Sequence, residues 1–115
     1  MATFTKLKLS GSTNGRGIAV AATATVGTTI HTAHATALDE VWLYAANIHS
    51  SAVVLTVEFG GVTVTSDLIQ QSIAATPSGL VLVCAGLLVT GSVVVTAFAG
   101  TANKIEIFGF VNRIA

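Results

Sequence analysis

This chain has little charge. Five residues are Lys or Arg and five are Asp or Glu, 9% of the 115, where soluble domains carry about 25%. A surface covered in lysine and glutamate is thereby excluded. The exterior must be Thr, Ser, Ala and backbone, or it must be covered by partners. The formal net charge is zero, so copies of the chain do not repel one another. This composition favours a stable homo-oligomer or a larger assembly. It also argues against nucleic-acid binding, which needs a basic face with interleaved aromatics. Lys6, Lys8 and Arg16 make a small basic N-terminal region, too sparse for that role but a candidate contact surface.

Cysteine and proline are each present once. One cysteine excludes an internal disulfide framework and a Cys-based zinc site. Cys84 lies in the apolar run 80–85, where a buried, inert thiol is expected. No stretch shows a sustained 3.6-residue apolar period with caps, so helices are not expected. Mean hydropathy is high at +0.81, and no charge occurs between Leu68 and Asn103. Residues 79–100 nonetheless read poorly as a membrane span. Thr90-Gly91-Ser92 breaks the stretch, valine dominates it, and no basic or aromatic belt flanks it. Two buried strands joined by a turn are expected there. Lys6 and Lys8 interrupt the N-terminus before any apolar run, so no signal peptide is expected and assembly in a cytoplasm is.

What the chain does have is alternation. Val53 to Phe59, then Gly60-Gly61, then Val62 to Thr65 reads as a hairpin closed by a two-residue turn. That register sets Phe59 against Val62 and Val57 against Val64 on an apolar face. Glu58 and Thr63, with Thr56 and Thr65, fall on a polar one. Residues 3–9 form a first strand and 10–17 a flexible Gly-rich loop. Residues 18–26 and 28–35 are strands of small side chains. Residues 40–48 place Val41, Leu43 and Ala45 on one face and Trp42 and Tyr44 on the other. Two apolar faces mean burial on both sides or one face given to a partner. Residues 68–73 form a strand or a helical turn, and 80–85, 92–98 and 104–114 are strands. About eight short strands predict an all-β fold, a single antiparallel β-sandwich or jelly-roll-like domain over 1–115.

No constellation of catalytic type emerges. His31 and His34 are three apart, which puts them on opposite faces of a strand and disfavours a shared metal. With His49 they read as polar loop or edge histidines. Asp39-Glu40 reads as a solvated pair before a strand. No Gly-x-Ser-x-Gly elbow is present, and 14–17 lacks the Lys-Ser/Thr of a phosphate loop. No enzyme activity, cofactor or metal is expected. Trp42, Tyr44, Phe59, Phe98, Phe108 and Phe110 are the large anchors. Most read as core, while Trp42 and Tyr44 are candidate interface residues beside Lys6, Lys8 and Arg16.

Two phrases carry a resemblance. One runs Glu40-Val41-Trp42-Leu43-Tyr44-Ala45-Ala46-Asn47-Ile48 through Glu58-Phe59-Gly60-Gly61. The other contains Ala97-Phe98-Ala99-Gly100-Thr101-Ala102-Asn103 and Gly109-Phe110-Val111-Asn112-Arg113-Ile114. From about Asp39 onward the chain resembles small capsid cement or decoration proteins of tailed bacteriophages. The resemblance implies a β-sandwich unit, often trimeric, on the virion surface over junctions between copies of the major capsid protein. Residues 1–17 would then be a capsid-contacting arm. Other virion parts of the same build (neck, tail or fibre) and a small ligand- or sugar-binding β-sandwich are the competing readings.

Overall fold

The computed structural model describes residues 3–61 and 66–115. Alternating Val/Thr segments form nine strands there and no helix: β1 (Phe4–Lys8), β2 (Ile18–Ala19), β3 (Thr28–Thr32), β4 (Leu38–Asn47), β5 (Val53–Phe59), β6 (Leu68–Ile73), β7 (Val81–Val89), β8 (Val94–Ala99) and β9 (Ile105–Ile114). All pairings are antiparallel. β2 pairs β9, β3 pairs β8, β4 pairs β7 and β5 pairs β6. The chain is therefore doubled into one long hairpin ribbon with its tip between β5 and β6. Rolling that ribbon yields one sheet ordered β1-β9-β4-β7, with β2 also on β9, and a second ordered β3-β8-β5-β6. This is a jelly roll, an all-β sandwich as the strand cadence predicts.

Period-2 alternation supplies the core. Val41, Leu43 and Ala45 of β4 and Ile105, Ile107 and Val111 of β9 face Val53, Leu55 and Val57 of β5 and Val95, Ala97 and Ala99 of β8. Cys84 is buried among them, with its Sγ 3.3 Å from the Val41 carbonyl oxygen. Burial pushes its thiol pKa up, away from the reactive thiolate. At Gly109 the β9 backbone comes so close to β4 that a Cβ would collide with the main-chain oxygen of Trp42. The C-terminus is tied in by reciprocal main-chain bonds between Thr3 and Ala115 of 2.7 and 2.9 Å.

Several expectations shift. β5 does pair with the next strand, but not through a two-residue turn. Gly60 has φ +80°, but the Phe59 amide donates to the Asp67 carbonyl, and Val57 lies opposite Ile69. The other edge of β5 is held by β8, with Val57 opposite Ala97. Val62 to Thr65, half of the expected hairpin, lies outside the described residues. Of the expected strand 18–26, only Ile18–Ala19 is regular. Beyond it, Ala21 and Ala22 both donate to Thr28 Oγ1. The 10–17 loop is pinned by Gly11 N–H to the Ile30 carbonyl, Ser12 Oγ to the Arg16 carbonyl and Lys8 Nζ to the Ser12 carbonyl.

Candidate interaction surface

The β4 alternation that buries Leu43 must turn its neighbours outward, and β9 obeys the same constraint. Register therefore sets Trp42 opposite Phe110 and Tyr44 opposite Phe108 on the outer face of the first sheet. All four rings are half-buried. Trp42 and Phe110 stack with centroids 6.1 Å apart and planes 10° from parallel. Lys6 reaches across from β1 and holds its Nζ 4.7 Å from the Phe110 centroid, a cation–π contact. The Trp42 indole N–H donates to Glu40 Oε1 at 2.7 Å, and Asn112 Nδ2 donates to the same oxygen at 3.0 Å. These bonds, the Trp42 one foremost, hold the Glu40 carboxyl below its ordinary pKa. Two glycines make room. A Cβ on Gly17 would sit 2.7 Å from Phe108 Cζ, and one on Gly86 would sit 3.1 Å from Trp42 Cζ2.

Of the five candidate interface residues, Lys6, Trp42 and Tyr44 thus share one face. Lys8 lies at its margin with its ammonium bonded to its own loop at 2.9 Å. Arg16 is exposed in that loop, next to Gly17, which packs on Phe108. Phe108 and Phe110, read as core, belong to the outer face. Their signal was present in the alternation itself: once Ile105, Ile107 and Val111 face inward, residues 108 and 110 cannot.

The second polar cluster overturns two readings. Asp39 is fully buried, not solvated. Arg113 grips it with Nε on Oδ1 at 2.7 Å and Nη2 on Oδ2 at 3.0 Å. His31 Nε2 lies 2.7 Å from Oδ2, and the His34 amide adds a bond at 3.3 Å. These partners, Arg113 first, outweigh burial and lower the Asp39 pKa to about 2. His31 is no edge histidine either, being 1% exposed. Its Nδ1 accepts the Ser10 main-chain N–H at 3.1 Å, so Nε2 carries the proton donated to Asp39.

Ser10, His31 and Asp39 match a hydrolytic triad in composition only. The histidine's second nitrogen faces a main-chain amide, and Ser10 Oγ accepts the Thr32 amide at 2.7 Å. The cluster clamps the 10–17 loop, β3, β4 and β9 together. His34 and His49 also use Nδ1 to accept main-chain amides, from Thr36 and Ala37 and from Ser51 respectively. Among the described residues no three His, Cys, Asp or Glu side chains converge as a metal site.

Glu58, expected on a polar face, is also buried. It accepts from Thr96 Oγ1 at 2.8 Å, Thr25 Oγ1 at 2.8 Å and the Gly27 amide at 2.9 Å. Burial opposes its charge, and the three donors together more than offset it, leaving its pKa lowered. A concavity of about 290 Å³ beside it is lined by Val26, Thr29, Gly60, Gly61, Val94 and Thr96. Its single charged group is already engaged from within, which leaves little for a polar ligand to converge on.

No protein-family model, curated protein or solved structure matches the chain.

Proposed function

We propose that the chain is a structural protein of a tailed-bacteriophage virion, a capsid cement or decoration protein that docks between copies of the major capsid protein. The observation that carries this reading is the outer face of the β1-β9-β4-β7 sheet. A band of four half-buried rings with a lysine laid over one of them is the composition of a protein–protein contact, in which aromatic anchors supply most of the energy. The polar clusters that could have suggested chemistry are spent on holding the sandwich together. Jelly rolls serve capsid and lectin domains alike, so the fold by itself does not choose between them. The choice rests on the sparse charge, the aromatic band and the resemblance of the chain from Asp39 onward to phage head proteins.

Cementing by such a unit is mass action. A protein that binds the assembled shell and not its free subunits raises the free energy needed to take the shell apart. The test is co-sedimentation of the purified protein with expanded empty heads of the phage that encodes it. Saturable binding at a fixed number of copies per capsid hexamer is expected. Labelling confined to neck or tail, or no binding, would reject the proposal.

A further inference from the structure

One flank of the sandwich is formed by two edge strands, β6 of one sheet and β7 of the other, joined by residues 74–80. The charge-free stretch from Leu68 to Asn103 contains both of them. Lys6, Lys8 and Arg16 lie on the opposite flank, where Gly11 of the β1–β2 loop bonds Ile30 of β3. Among the described residues β7 pairs only with β4, so its other edge offers main-chain groups that no described strand takes up. Along β7 and the residue before it, Leu80 is 58% exposed, Leu82 46%, Leu87 44% and Leu88 55%. Register sets Leu82 opposite Tyr44 and Leu88 opposite Glu40, so these two carry the apolar surface from the flank onto the outer face of the first sheet. Proteins usually protect such an edge with lysine, proline or brevity. β7 is nine residues long and contains neither. Its bulges, at Val83 and Gly86, lie in the ladder with β4.

We infer that this flank is where a second copy of the same chain docks, flank to flank about a two-fold axis. Two observations select that occupant. Under a two-fold operator every group near the axis meets its own copy, so a self-contact must carry no like charges there. Leu68 to Asn103 is the longest stretch of the chain that satisfies that condition. The size is also sufficient. Nine residues of strand span about 30 Å and the molecule is 21 Å through its thinnest direction, so two copies would bury about 1,200 Å², the lower bound of stable interfaces. Such a contact closes at two copies, in contrast to the trimer that the phage resemblance implies. It adjoins the aromatic face along Leu82 and Leu88. The inference does not depend on a capsid partner, so either can fail without the other.

Native mass spectrometry and sedimentation of the full chain test it. The expected mass is about 23 kDa, twice the 11.6 kDa of one chain. Leu82→Lys with Leu87→Lys opposes like charges across the axis and should weaken the dimer more than about a hundredfold. Their circular dichroism should match that of the wild type. Thr5→Lys, on the opposite flank, should leave the dimer intact. In the unmutated protein, exchange of the β7 edge amides should slow as concentration rises. A monomer, a trimer, or a dimer indifferent to the paired lysines would overturn the inference.

Discussion

At the scale of single residues, the molecule places its few charges where they hold its ends together. Asp39 shows the consequence for pH. Its folded pKa of about 2 lies below the ordinary aspartate value of 3.8, so the folded state binds its proton less readily than the unfolded chain does. The stabilisation is complete above about pH 4 and is lost as pH falls toward 2, on the order of 2 kcal/mol in all. Acid unfolding followed by Trp42 fluorescence should show that loss. Arg113→Ala leaves a buried carboxylate with only His31 and a main-chain amide, and should cost about 3 kcal/mol at neutral pH by urea unfolding. A cost under about 0.5 kcal/mol would show that the clamp is not structural.

Asn47 does comparable work at the other end of β4. Its Nδ2 donates to the carbonyls of Ser51, Ile73 and Ala74, and its Oδ1 accepts the His49 amide. None of these partners could be named from sequence. Asp39 and Arg113 are 74 residues apart, and a carboxylate beside a second carboxylate looks solvated until the strand that brings the guanidinium is placed.

At the scale of elements, alternation was the legible signal. It located β4, β5, β8 and β9 to within a few residues, and it separates Leu43 from Tyr44. Leu43→Ala should cost about 2–5 kcal/mol, as for other buried leucines. Tyr44→Ala should cost about 1 kcal/mol or less while weakening capsid binding. Equal losses of stability for the two would contradict the assigned faces. Glycines offer a second comparison. Gly109→Ala forces β9 off β4 and should cost about 3 kcal/mol. At Gly100, a Cβ meets nothing within 4 Å, so Gly100→Ala should be near neutral by thermal melting.

Register was less legible than strand location. Gly60-Gly61 predicts a tight turn, but both edges of β5 are claimed by β6 and β8, and burial of Leu55 and Val57 between the sheets decides the pairing. Residues 18–26 failed as a strand for a related reason. Their small side chains fit irregular backbone over the sandwich end, where Val20 and Ala22 bond β9, β8 and the turn between them one residue at a time.

At the scale of the whole molecule, the doubled ribbon explains how a chain of so little charge divides its surface. The core takes the inward residues of both sheets, the aromatic band occupies one outer face, and the uncharged edges collect on one flank. The candidate site was half legible. Trp42, Tyr44 and Lys6 were recognisable and the alternation of β9 turns Phe108 and Phe110 outward, whereas their placement opposite Tyr44 and Trp42 required the register of β9 against β4.

Calorimetry of expanded empty heads, melted alone and with saturating protein, tests the packing function most directly. The account predicts a higher shell melting temperature with wild-type protein and most of that gain lost with Trp42→Ala, whose own fold persists. An unchanged shell melting temperature under saturating protein would contradict it.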